Sequence, residues 1–284
     1  MAKAIAAESA YENPLMPNER LRQLYRAMVR LRLLGGALGA KQGGRQTRGM
    51  EAALASTSLD LGSGDLVSDA LAGGVISFLR GAALQTVLAP EKRGGRGALA
   101  NCGSAGQLPH ELEVRDRVSL ALGAAAGLKA LAAGKKAEDG TAAQSGVVVL
   151  YIVPGSMPVP LLRKAFTLAS TEQLPVLFVI LRGDKPPVRG GLGTIASQHG
   201  IPGIAVDADD AVAIYRVAQE SIGHARIGGG AALIECVPFI LESAPRQKSM
   251  DAIANLEQYM LQRGAAKKTW MEQESSSFRK RLTR

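Results

Sequence analysis

A chain of 284 residues with 46% hydrophobic side chains can bury one large core, and no stretch approaches the roughly 20 apolar residues of a membrane span. Two cysteines cannot build a disulfide framework, which fits a reducing compartment, and Met1 to Asn13 carries Glu8 and Glu12 without a long apolar run, so a cytoplasmic protein without a signal peptide is expected. The net charge of +9 raises nucleic-acid binding, but the basic residues lie on one amphipathic segment (Arg20, Arg22, Arg26, Arg30) and in the last twenty residues, with few aromatics interleaved, so a solvated or subunit-facing basic surface is expected instead.

Pro17-Asn18-Glu19 opens the first helix, with Asn18 as N-cap and Leu21, Leu24, Tyr25, Met28 and Leu31 on its buried face. Gly35 and Gly36 weaken that helix, and Lys41 to Gly49 is expected to be a loop. Glu51 to Leu59 is helical and Gly62 to Asp65 a turn. Ala70 to Leu88 is helix-compatible, and Lys92 to Pro109 is expected to be a long loop. Val118 to Ala133 is an alanine-rich helix whose Gly123 and Gly127 would let another element approach closely. The period then changes. Val147 to Val153 and Pro175 to Leu181 are continuous apolar runs, as buried parallel strands are, with a helix over Leu161 to Thr171 between them. Ile204 to Val206 is a short third strand, Asp210 caps a helix that runs to Ala225, and Ala231 to Val237 is a fourth strand. Asp251 to Arg263 is the last helix, ahead of a charged tail expected to be mobile.

This alternation predicts an α/β fold with a doubly wound, mostly parallel sheet flanked by helices. It divides into an extension over residues 1–16, a single domain over 17–264 and the tail over 265–284. In such sheets ligands bind at the C-terminal ends of the strands. Two of those ends are Val153-Pro154-Gly155-Ser156 and Arg182-Gly183-Asp184-Lys185. Arg182, Lys185 and Arg189 gather before a glycine-rich stretch, Gly190 to Thr194, and a basic loop of that kind can cradle an anion through backbone N–H groups. The three histidines, His110, His199 and His224, have no second ligand at metal spacing. Cys102 and Ser156 lack a partner base or a nucleophile-elbow context.

Several segments resemble the α subunit of the thiamine diphosphate-dependent dehydrogenase component of 2-oxoacid dehydrogenase complexes. They are Leu24 to Arg30, Gly49-Met50-Glu51-Ala52, Leu174 to Val179, Gly200-Ile201-Pro202-Gly203 with Val206-Asp207 and Asp210, and Leu256 to Gly264. The resemblance implies a thiamine diphosphate-binding fold, oxidative decarboxylation of a 2-oxoacid, and a β subunit as partner in a homo- or hetero-oligomer. It also implies a magnesium ion that bridges the cofactor's phosphates.

The departures fall on the motifs that would hold that cofactor. The family's Gly-Asp-Gly becomes Val153-Pro154-Gly155, so Pro154 stands where the metal-binding aspartate is expected. Pro158 stands in place of a later asparagine. Gly183 replaces the second ligand, an asparagine, and Lys185 occupies the position of a ligating backbone carbonyl. The Tyr-Arg-x-His element becomes Leu71-Ala72-Gly73-Gly74, and Glu242 to Lys248 lacks the family's His-Ser pattern. Magnesium requires oxygen ligands, so no catalytic residue, metal ligand or cofactor is predicted. The expected role is a non-catalytic structural or regulatory subunit. The alternatives are an active subunit that uses Arg182 and Lys185 to neutralise the phosphates, and a stand-alone anion-binding protein in which Arg182, Lys185 and Arg189 contact the anion.

Overall fold

The apolar runs Val147 to Ile152 and Val176 to Leu181 each divide residue by residue between two cores, because successive side chains on a strand point to opposite faces. Val149, Tyr151, Leu177 and Val179 enter one core; Val148, Leu150, Phe178 and Ile180 enter the other. The structure is a computed structural model that describes residues 16–42, 48–68, 75–88, 106–109, 113–134, 144–183, 191–238 and 251–283. Five strands, β1 (Leu66–Ser68), β2 (Val148–Ile152), β3 (Val176–Ile180), β4 (Gly203–Asp207) and β5 (Ala232–Val237), form one sheet in the order β1-β2-β3-β5-β4. Every adjacent pair is parallel.

The helices follow from that order. The connections from β1 to β4 all step across the sheet in one direction. Their main helices, α5 (Val114–Ala133), α6 (Val159–Thr171) and α7 (Gly191–Gln198), pack on one face. The step from β4 to β5 turns back. Its helix α8 (Ala211–Arg226) therefore lies on the other face, as it must if every crossover keeps one hand. The same face carries α1 (Asn18–Gln42), α2 (Glu51–Ser58), the short helices α3 (Val75–Leu79) and α4 (Leu84–Leu88), α9 (Ala252–Gln262) and α10 (Lys268–Leu282). The doubly wound α/β architecture is thus the one the sequence predicts. Among the described residues no helix is long and apolar enough to cross a membrane.

Besides α7 at the candidate site, four elements depart from the sequence reading. The three-residue strand β1 is too short to leave an alternation signal. Helix α1 continues through Gly35 and Gly36, because burial of Leu34 and Leu38 outweighs the cost of about 1 kcal/mol that each interior glycine carries. Gly123 and Gly127 do not serve close packing among the described residues: a Cβ built on either would meet nothing. The fourth departure is the C-terminal tail, which is helix α10 and packs along α1.

Charge hid α10. Its apolar positions are few, but Met271 and Phe278 are buried, and Phe278 is only 3% exposed. The Phe278 ring stacks on Phe78 with centroids 5.5 Å apart, and Trp270 meets Tyr25 at 5.7 Å. Arg26 adds an ion pair with Glu274 at 2.9 Å and lies 5.1 Å over the Trp270 ring. Phe278→Ala should therefore cost about 3 kcal/mol, read as a lower urea midpoint at unchanged slope. A mobile tail would show no change.

At the N-terminal edge of the sheet Asp65 joins four elements. Its Oδ1 accepts from Val147 N at 2.9 Å, its Oδ2 from Gly62 N at 2.6 Å and from Arg226, and its backbone oxygen from Arg80. Nearby, Tyr215 on α8 donates to Asp60 Oδ2 at 2.6 Å. Burial first, then that hydrogen bond and the Asp60 charge, push the Tyr215 hydroxyl up to about 12. An unfolded tyrosine loses its proton near pH 10, so this group's contribution to stability is complete below about pH 10 and is lost as pH rises toward 12. Urea midpoints of Tyr215→Phe should fall less steeply than wild type over that interval.

Candidate functional site

The C-terminal ends of β2, β3, β5 and β4 form the edge where a sheet of this kind binds ligands. Beyond β2 the chain turns at Val153-Pro154-Gly155-Ser156. Ser156 N and Oγ both donate to the Val153 carbonyl, at 3.1 and 2.6 Å, so the only side-chain hydroxyl of the turn is directed at its own backbone. Beyond β3, Gly183 lies against the Pro154 ring: a Cβ added there would sit 3.0 Å from the ring's Cγ and Cδ. The two positions singled out in the sequence are neighbours in space.

 

Pro154 and Gly183 are 29 residues apart in the chain, and they touch because β2 and β3 are adjacent strands. Neither residue carries a side-chain oxygen, so these two positions offer a magnesium ion no side-chain ligand; among the described residues of the two strand ends the one side-chain oxygen is Ser156 Oγ, turned to the Val153 carbonyl.

The charged groups at this edge are held by one another. Arg182 Nη1 lies 3.1 Å from both carboxylate oxygens of Asp209. That pair reaches past the end of β5, which separates β3 from β4 in the sheet. Burial raises the Asp209 carboxyl above its ordinary range; the Arg182 charge opposes this, and Asp207 adds to it. Asn255 Nδ2 donates to the Asp209 carbonyl at 3.2 Å. Alongside, Arg32 Nε donates to the fully buried Glu51 at 2.7 Å and its Nη1 to Asp251. Burial works against the Arg32 charge, but the bonds from Glu51 and Asp251 outweigh it and hold the guanidinium ionised. Asp251 in turn caps α9 by accepting from Ile253 N at 2.9 Å.

The glycine-rich stretch expected to be an anion-binding loop is instead the first turn of α7 from Gly191 onward. Its N–H groups already have an anion. Glu235 on β5, 6% exposed, accepts from Leu192 N at 2.9 Å and from Gly193 N at 2.8 Å. A carboxylate suits a helix N-terminus because it meets both unpaired N–H groups and the positive end of the dipole. Glycine is required where α7 crosses β4: a Cβ on Gly203 would lie 2.1 Å from the Gly193 carbonyl oxygen.

Of the other residues considered in the sequence, His199 Nδ1 pairs with Thr167 Oγ1 at 2.9 Å and His224 is exposed. Leu71, Ala72, Cys102, His110, Lys185, Arg189 and Glu242 to Lys248 lie outside the described residues. Glu235 and Asp209 were missed. Glu235 had left a signal, a lone carboxylate inside the apolar run Ala231 to Val237. Its neighbour Cys236 is a buried free thiol, and burial, then the Glu235 charge, push it up to about 12. Among the described residues no group of three or more His, Cys, Asp or Glu is arranged to hold a metal ion.

Residues 191–283 match the family described as dehydrogenase E1 component. Over that segment the chain is similar to dehydrogenase E1 components. The α subunit of acetoin:2,6-dichlorophenolindophenol oxidoreductase from Bacillus subtilis (strain 168) is 34% identical over 85 residues, 27% of this chain and 26% of that protein. Its counterpart from Cupriavidus necator is 37% identical over 81 residues, 26% of this chain and 24% of that protein. The chain thus spans about a quarter of the length of the curated relatives it matches. The E1-like segment holds α7, β4, α8, β5, α9 and α10. It includes the Gly200-Ile201-Pro202-Gly203 corner, Asp209 and Glu235, whereas Pro154 and Gly183 precede it. Glu235→Ala should cost about 3 kcal/mol by leaving two buried N–H groups unpaired, and Glu235→Gln, which keeps one acceptor oxygen, about 1 kcal/mol. Equal urea midpoints for the two variants would show that the carboxylate does not hold α7.

Proposed function

We propose that the chain is an α-like subunit of a 2-oxoacid dehydrogenase component that no longer holds thiamine diphosphate or magnesium and serves a structural or regulatory role beside a β-like partner. The observation that carries this reading is the contact between Pro154 and Gly183. In the resemblance these positions belong to two ligands of one metal, and here a hydrocarbon ring fills the space between them. The pairing of Arg182 with Asp209 weighs against the alternative of an active subunit, because that guanidinium would have to leave a partly buried carboxylate to neutralise a phosphate. It weighs equally against a stand-alone anion site at Arg182. A β-like partner is supported by the relatives, both named as α subunits. It is also supported by the outer face of α5, where Gly123 and Gly127 lie open between Leu120 and Leu131.

Calorimetric titration with thiamine diphosphate and magnesium, on the chain alone and with a co-expressed β-like subunit, should show no metal-dependent heat. Micromolar, magnesium-dependent binding would overturn the proposal. Co-purification of the β-like subunit is expected in the same experiment, and its failure would remove the partner from the reading.

A further inference from the structure

Arg26 and Arg30 lie one turn apart on α1, at a cleft of about 370 Å³ between α1, α2 and α3. Arg26 is committed, to Glu274 at 2.9 Å, to Glu19 at 3.4 Å and to the Trp270 ring. Arg30 is not: among the described residues no carboxylate lies within ion-pair distance of it, and its guanidinium carbon sits 5.8 Å over the Phe278 ring. Arg281 sits over the same ring, also at 5.8 Å. Arg30 is thus half-buried between like charges. Burial foremost, then Arg281 and Arg26, disfavour its charge, while Glu274, already held by Arg26, favours it.

The rest of the cleft is apolar except for one donor. Ala27, Leu59, Phe78 and Leu79 form its walls. Gln23 accepts from Arg20 through Oε1 at 2.8 Å, which leaves its amide NH₂ to donate. A complementary molecule carries one negative charge and an apolar body; a dianion would add repulsion from Glu19 and Glu274 with no second cation to offset it. We propose that this cleft binds a small monocarboxylate, with its carboxylate on Arg30 and Gln23 and its short aliphatic or aromatic body against Leu59, Phe78 and Leu79. Because Phe78 stacks on Phe278, the bound molecule would also brace α10 against α1. The inference rests on the geometry of this cleft and is independent of the function proposed above.

Titration of the full chain with hexanoate, followed by calorimetry and by amide chemical shifts, tests it, with hexanol and inorganic phosphate as comparison probes. Hexanoate should bind saturably, with shifts confined to α1, α2, α3 and α10, and hexanol and phosphate should each bind at least about tenfold more weakly, since the charged hydrogen bond and the apolar body are both needed. Arg30→Gln should weaken hexanoate about tenfold. Leu79→Trp, which fills the cleft and keeps the guanidinium, should abolish binding at an unchanged melting temperature, and this arm decides the matter if Arg30→Gln does not fold. Absence of hexanoate binding, equal binding of hexanol or phosphate, or full binding by Leu79→Trp would overturn the assignment.

Discussion

The carboxylate of Glu235 fixes the distance between the sheet and the helix that covers its C-terminal edge. A buried charge is tolerated only where hydrogen bonds and dipoles replace its lost hydration. Leu192 N and Gly193 N supply both. That constraint sets the rest of the local packing. With α7 drawn down on β5, its backbone meets β4 closely enough that only glycine fits at 203, and β4, an edge strand paired on one side alone, is held by the helix as well as by β5.

The same logic runs along the whole edge. Each strongly positive feature described there faces an anion of the protein itself: the start of α7 faces Glu235, Arg182 faces Asp209, and Arg32 faces Glu51 and Asp251. An external diphosphate that used any of these groups would have to displace its carboxylate, and a displaced carboxylate that stayed buried would cost several kcal/mol. On the reading proposed above, two features would oppose cofactor binding at this edge. Side-chain oxygens are absent at Pro154 and Gly183, and among the described residues Arg182 and Arg32 are already paired with carboxylates.

The sequence carried the sheet well and the charge pairs poorly. The runs at β2 and β3 announce themselves because both faces of those strands are buried, and Asp210 announces the start of α8 because capping is local, as its bonds to Val212 N and Ala213 N bear out. Strand β1 and helix α10 were not legible. The first has three residues, and the second owes its order to Phe78, Tyr25 and Arg26, which lie far away in the chain. For the same reason Arg182 looked like a free cation: Asp209 comes 27 residues later, and only the β3-β5-β4 order brings it within reach. The glycine-rich stretch before Ile195 was misread because a loop and a helix start share the same residues when the capping carboxylate comes from another strand.

Cofactor-bound proteins draw part of their stability from the ligand, which binds the folded state and not the unfolded one. A chain whose strand ends hold no cofactor must close them by its own contacts. Here the Pro154 ring on Gly183 supplies van der Waals contact where a metal would otherwise join β2 to β3, and the Arg182–Asp209 pair ties β3 to β4 across the end of β5. These contacts are short-range and need no ligand. An α-like scaffold that keeps its fold without its cofactor requires that property, whereas an enzyme that waits for one requires the opposite: an edge left open and partly unpaired until the ligand arrives.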